Sequence, residues 1–339
     1  MNSQLETFRQ RICQLGAAIR DTLYAQQHTS VEELSAVAAH TTADTIYQID
    51  KVSEQLILKW LGDNWPSEFP VRLVMEGIED DERVTFPDKI PDSRIAYQLI
   101  VDPIDGTRGI MYDKRPAWAL IGLAPQPASP SSPNLEDITV AAMTELPTSK
   151  QYISEQLSAI LLPDGSTRFH REATNLLNGE TRQIPHSPSR STELKHGFAS
   201  VAKFFPQAKA ALALFEEELF AALTPESERA DALIFDDQYI STGGQLYELI
   251  AGHDRLVIDI RPLAFSKNGY PQSLTCHPYD LCTALVARAA GVVVRLAESP
   301  ELDIPFDTTT TVNWLAYANQ ELADKIHPVV ERLIQKHFA

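Results

Sequence analysis

The string Val101-Asp102-Pro103-Ile104-Asp105-Gly106-Thr107 constrains this chain more than any other. It follows the apolar run 96–101, which reads as a strand, so a strand is predicted to deliver two acids three residues apart at its carboxyl end. Pro103 fixes its own φ and biases Asp102 toward extended backbone, which aims both carboxylates into one space. Gly106 permits close backbone approach to an anion, and a helix starting near Thr107 would offer its free N–H groups to a phosphate. Asp-Pro and Asp-Gly are each ordinary turn dipeptides; the ordered string after a strand is what points to chemistry. Two clustered carboxylates repel unless a proton or a cation lies between them, and oxygen-only ligands favour a hard cation, magnesium first.

A second strand, 71–76, also ends in an acid, Glu76. Leu5, Phe8, Ile12, Leu15, Ile19 and Leu23 recur at steps of three and four and predict an amphipathic helix over 4–25. Another is expected over 48–61, with Asp50 and Glu54 on one face and Glu54 read as a solvated acid. Strands are predicted at 118–123, 139–144, 255–260, 292–296 and 314–318, and helices near 206–223, 244–251, 280–290 and 320–337. This alternation indicates layered α/β structure. The Pro- and Ser-rich segment 125–133 reads as an exposed connection, and the polar, turn-rich 163–197 as containing the passage between an N-terminal α+β half (1–160) and a C-terminal α/β half (190–339).

A formal charge of −17 disfavours nucleic acid and anionic membrane as partners. No apolar run is long enough to span a bilayer and the N-terminus lacks a secretory pattern, so a soluble, cytoplasmic protein is expected. Cys13, Cys276 and Cys282 are read as reduced thiols without a chemical role. There is no G-x-x-x-x-G-K-[ST] string, no G-x-G-x-x-G loop and no H-E-x-x-H pair, and His40, His253 and His277 are taken as structural or solvent-facing.

Asp-Pro-Ile-Asp-Gly-Thr at 102–107 resembles the signature of the inositol monophosphatase superfamily, which also holds fructose-1,6-bisphosphatases and 3′-phosphoadenosine 5′-phosphate phosphatases. The resemblance extends to Asp50-Lys51-Val52-Ser53-Glu54, to Val74-Met75-Glu76, to Gly243-Gly244-Gln245-Leu246 and to His277-Pro278-Tyr279-Asp280 with 284–291. It covers about 40–320 and implies a layered α-β-α-β-α sandwich of the sugar-phosphatase type. It further implies that Glu76, Asp102, Asp105, Asp280 and the Ile104 carbonyl hold two or three Mg2+ ions, with Asp102 bridging. Gly106 and Thr107 would bind the phosphate, while water activated at the ions and oriented by Thr107, with Asp50 behind it, would attack phosphorus. A small phosphorylated metabolite as substrate, lithium sensitivity and a homodimer belong to the same implication.

The chain departs from the pattern where Gly77 follows Glu76 in place of a second Glu, with Glu79 and Asp80 further on. A polar stretch, 261–276, lies where inositol-specific relatives place a sugar-contacting Glu, and Arg108-Gly109 is similar to the nucleotide-phosphate branch. Substrates of that branch, or sugar bisphosphates, are therefore alternatives to inositol monophosphate. Lys114, Arg115 and Arg261 are candidates for a second phosphate, or salt partners of nearby acids. Asp280 alone would also serve as a helix cap. A glycosidase uses paired acids too but leaves the Gly-Thr corner unexplained, and a non-catalytic metal- or phosphate-binding regulator is the alternative of another class.

Overall fold

A computed structural model describes residues 2–26, 37–40, 45–78, 82–128, 132–272 and 274–339, without the side chains of 2, 37–40, 45–48 and 50. Helix α1 (Asn2–Ala25) covers the predicted first helix. After a two-stranded ribbon, β1 (Val37–His40) and β2 (Thr45–Tyr47), comes α2 (Gln48–Asn64). There follow β3 (Val71–Met75), β4 (Val84–Phe86), β5 (Tyr97–Asp105), the short helix α3 (Thr107–Met111) and β6 (Ala117–Pro125). Strands β7 (Val140–Leu146), β8 (Ile153–Leu161), β9 (Thr167–Asn175) and β10 (Thr181–Gln183) complete an eight-stranded sheet of order β10-β9-β8-β7-β6-β5-β3-β4. Its pairs are antiparallel except β3 with β5, so those two strands end side by side at one edge of the sheet.

The second sheet contains β11 (Gly197–Val201), β12 (Ile234–Phe235), β13 (Asp254–Asp259), β14 (Val293–Leu296) and β15 (Trp314–Tyr317), in the order β12-β11-β13-β15-β14. Helices α4 (Lys209–Leu223), α5 (Thr242–Ala251), α6 (Arg261–Lys267), α7 (Pro278–Leu281), α8 (Ala284–Ala290) and α9 (Gln320–Phe338) accompany it. α1 and α2 cover one face of the large sheet; α5, α7 and α8 lie between the sheets; α4, α6 and α9 close the far side. The result is the layered α-β-α-β-α sandwich.

The central strands read as unbroken apolar runs because both of their faces are buried. Along β6, Ala117, Ala119 and Ile121 join the core under α1, whereas Trp118 and Leu120 join the core between the sheets. Gly122 allows the layers to close: a Cβ there would lie 3.0 Å from the Cys282 carbonyl oxygen.

Within 163–197, β9 and β10 belong to the large sheet, and the connection to β11 is 184–196. These strands hide from a hydropathy reading because β9 is largely half-buried and polar, and its buried Arg171 is matched by Glu155 of β8 at 2.7 Å. The helix expected over 280–290 is two helices, broken at Thr283, which leaves helical geometry at φ −100° and ψ 13°. The three cysteines are buried free thiols. Among the described residues no helix is long and apolar enough to cross a membrane.

Candidate metal centre

β5 does not stop at Asp102. It continues to Asp105 with a register shift against β6 between the two acids, so the bulge turns both carboxylates toward one side. Asp102 is 1% and Asp105 6% exposed, and Asp280 reaches them from α7 of the second half, about 180 residues downstream. One carboxylate oxygen from each of the three lies within 4.8 Å of the others. Glu76, at the end of β3, donates its backbone N–H to the Val101 carbonyl at 3.2 Å, and it lines the same pocket as Ile104, Gly106 and Thr107. The four sequence-predicted acids are thus neighbours in one cavity of about 80 Å3.

Burial, then the negative charges of Glu76, Asp105 and Asp280, hold the Asp102 carboxyl well above the usual range. Burial and the Asp280 charge push Asp105 up to about 7, opposed by the hydrogen bonds it accepts. Among the described residues no lysine or arginine pairs with these three carboxylates; the one ion-pair contact is His277 Nδ1 to Asp280 at 3.8 Å. Buried acids so placed are stabilised by a cation supplied from outside the chain.

Each acid is held by backbone donors. Asp102 Oδ1 accepts the Ile104 N–H at 3.0 Å. Asp280 Oδ2 accepts the His277 N–H at 2.6 Å, closing a capping box on α7, so the residue caps its helix and still belongs to the cluster. Asp105 sits at the N-terminus of α5, where it accepts from Ser241 Oγ at 2.8 Å, from the Thr242 N–H at 3.2 Å and from the Gly243 N–H. Ser241 also caps α5 by accepting the Gly244 N–H at 2.8 Å. The positive end of α5 is therefore pointed at Asp105.

Gly106 turns the chain with φ 95°, and a Cβ there would stand 3.1 Å from Ser241 Cβ, so glycine alone gives both the left-handed turn and the close packing on α5. α3 begins at Thr107, as predicted, and the Thr107 hydroxyl donates to the Ile104 carbonyl at 2.8 Å. Gly77 has a local cause: it takes φ 88° in a turn closed by the Ile78 N–H on the Met75 carbonyl at 3.1 Å, a conformation a second Glu would occupy only with strain.

The Asp50 side chain and residues Glu79 and Asp80 lie outside the described residues. Glu54, read as a solvated acid, is half-buried and pairs with Lys51 at 2.7 Å. Arg115 pairs with Asp237 and Arg261 with buried Asp259, so both are salt partners. His253 pairs with Glu248, whereas His277 is buried beside the cluster with its ring stacked on Tyr279. The sequence reading missed Ser241 and Thr242 as supports of Asp105. The cap-like Ser-Thr-Gly-Gly start of a helix was a visible signal, but nothing local says that its partner lies 136 residues upstream.

This architecture recurs among solved structures. The extragenic suppressor protein SuhB from Bartonella henselae superposes with a TM-score of 0.63 at 17% identity, over 96% of this chain and 99% of that one. Fructose-1,6-bisphosphatase from Leishmania major gives 0.65 at 12% identity, over 95% and 93%. Inositol monophosphatase from Anabaena (Nostoc) sp. PCC 7120 gives 0.53 at 14% identity, over 98% and 97%. No family model matches the chain, and no curated protein matches it. The chain adopts the inositol monophosphatase and fructose-1,6-bisphosphatase fold.

Proposed function

We propose that the chain is a magnesium-dependent phosphomonoesterase acting on a small phosphorylated metabolite. The observation that carries this reading is the convergence of Asp102, Asp105 and Asp280 within 4.8 Å beside the Gly106–Thr107 corner. The donor set fits the ion: carboxylate oxygens, joined by Glu76 and the Ile104 carbonyl, suit a hard divalent cation, and among the described residues no lysine or arginine pairs with Asp102, Asp105 or Asp280, which leaves charge for it to balance. Magnesium bound there supplies the charge that draws in a phosphate and acidifies water beside it.

The chain's own residues do the rest. Asp102, the most buried acid, stands at the centre of the cluster, with Asp105 fixed from the α5 side and Asp280 from α7. Gly106 and Thr107 present the first N–H groups of α3 to the phosphate. The Thr107 hydroxyl, tied to the Ile104 carbonyl, is oriented to hold a water for in-line attack, with Asp50 expected behind it.

Phosphate release should be measured with and without magnesium on inositol phosphates, fructose 1,6-bisphosphate and 3′-phosphoadenosine 5′-phosphate. Release that stops in EDTA, and falls at least 100-fold in folded Asp102→Asn and Asp105→Asn, is expected from the magnitude of electrostatic catalysis. Full turnover in EDTA sinks the reading. Metal binding without release from any ester would favour the regulator.

A further inference from the structure

We infer that the chain carries a second ligand site, at the opposite end of β11 from the metal pocket, built for a free aliphatic α-amino acid of the leucine class.

A cavity of about 230 Å3 opens where the segment ahead of β11, the end of α4, the start of β12 and the first turns of α9 meet. Its floor is aliphatic. Leu194, Leu322 and Ile326 are buried in the core, and Leu223, Leu233 and Ile234 are half-buried around them. An apolar cavity of about 150 Å3 is enough to hold a benzene ring, so a branched aliphatic side chain fits here with room for its α-carbon. None of the described residues lining the cavity is aromatic, so nothing in its wall stacks a flat ring.

The mouth carries fields of opposite sign on its two sides. On the α9 side, Lys325 Nζ donates to the Thr192 carbonyl at 3.2 Å, and among the described residues no carboxylate pairs with it. An ammonium has further protons to give, so Lys325 keeps donors for a ligand. It also stands near the amino end of α9, whose dipole adds to its charge rather than offsetting it.

On the other side Lys195 pairs with Glu228 at 2.8 Å. Glu228 through its hydrogen bond, then Glu193 and Asp231 through their charges, hold the Lys195 ammonium above its usual range. Three acids around a single lysine leave that side net negative.

An amino acid matches this polarity. Its carboxylate meets Lys325, its ammonium meets the side of Glu193 and Glu228, and its side chain enters the aliphatic floor. A fatty acid or an alkylamine answers one of the two fields and is opposed by the other.

β11 spans five residues, roughly 16 Å of strand, and Leu194 and Lys195 precede it, whereas Phe204 and Phe205 beyond its far end line the metal pocket. The two sites share no lining residue, so this site stands independently of the phosphatase reading.

The test is saturation-transfer NMR of L-leucine with the full chain in EDTA, with isocaproate, isopentylamine and N-acetyl-leucinamide as comparisons. L-Leucine should bind saturably, with a dissociation constant on the order of 1 mM. Isocaproate lacks the ammonium, isopentylamine the carboxylate and N-acetyl-leucinamide both charges; each should bind at least about threefold more weakly, the scale of one exposed ion pair. Lys325→Met, which keeps the apolar stem, should weaken leucine at least about threefold and leave isopentylamine unchanged. Leu233→Trp, which fills the cavity, should abolish the leucine signal in a chain that calorimetry shows to be folded. Absence of saturable leucine binding overturns the inference, as does leucine binding that survives both substitutions. Equal binding of either singly charged analogue, or of N-acetyl-leucinamide as the mimic of a leucine in a docked peptide, overturns it too.

Discussion

Replacing Ser241 with alanine should separate fold stability from metal affinity in a measurable way. Ser241 Oγ accepts the Gly244 N–H as the cap of α5 and donates to Asp105 Oδ2, both at 2.8 Å. Losing the cap costs about 1 kcal/mol, and losing a hydrogen bond to a buried carboxylate about 2 kcal/mol, so roughly 3 kcal/mol together. A chain of 339 residues unfolding with about 2.1 cal/mol/K per residue has an unfolding entropy near ~0.7 kcal/mol/K, which converts this loss to a fall in Tm of about 4 °C. The second effect is on the ion. Asp105 keeps its bonds from the Thr242 and Gly243 N–H groups but loses the side-chain donor that sets its rotation, and supports of this kind are worth about 10–100-fold in metal affinity. Differential scanning calorimetry in EDTA reads the first effect, and magnesium titration calorimetry the second. A lowered Tm with unchanged magnesium affinity would refute the reasoning, because α5 would then cap itself on Asp105 without orienting a ligand.

Three further outcomes are expected. Arg261→Gln leaves Asp259, which is fully buried, without its partner and should lower Tm by about 4–7 °C, from a loss of about 3–5 kcal/mol; Arg261→Met with Asp259→Leu should recover most of it, and no recovery would count against a paired-charge origin. Burial pushes the Glu145 carboxyl up from 4.5 to about 7, so the stability it contributes is full below about pH 4.5 and is lost as pH rises through about 7. Glu145→Gln should therefore gain on the wild type between pH 5 and pH 8 by up to about 3 kcal/mol, or about 4 °C in Tm, and a constant difference would be contrary. Gly106→Ala forces an L side chain to φ 95° with its Cβ 3.1 Å from Ser241 and should cost about 1–3 kcal/mol and most phosphate release; full activity would show that the corner is not a cradle.

The site was legible in the sequence wherever function writes on a short stretch. The strand leading into Asp102, Gly106 at the turn and the start of α3 at Thr107 follow from local rules about prolines, glycines and helix ends. Helices α1 and α9 were legible because one apolar stripe faces a core. What stayed hidden depends on pairing at a distance. β9 lacks apolar alternation because its inward Arg171 is neutralised by Glu155. Arg261 could be read as a phosphate contact or as a salt partner, and only the fold shows Asp259 and Phe204 closed around it. The support of Asp105 by α5 joins segments whose sequences carry no sign of each other, and Gly77 stood out only as a departure from the family pattern where the turn after β3 calls for glycine.

The most direct test of the central claim is manganese binding followed by paramagnetic resonance, in wild type, Asp102→Asn and Asp280→Asn, with competition by magnesium. Saturable binding that magnesium displaces, weakened at least about tenfold by either substitution in a protein that stays folded, is the predicted result. Unchanged affinity in Asp280→Asn would contradict it, because the acid from α7 would then share a pocket with Asp102 and Asp105 but not an ion.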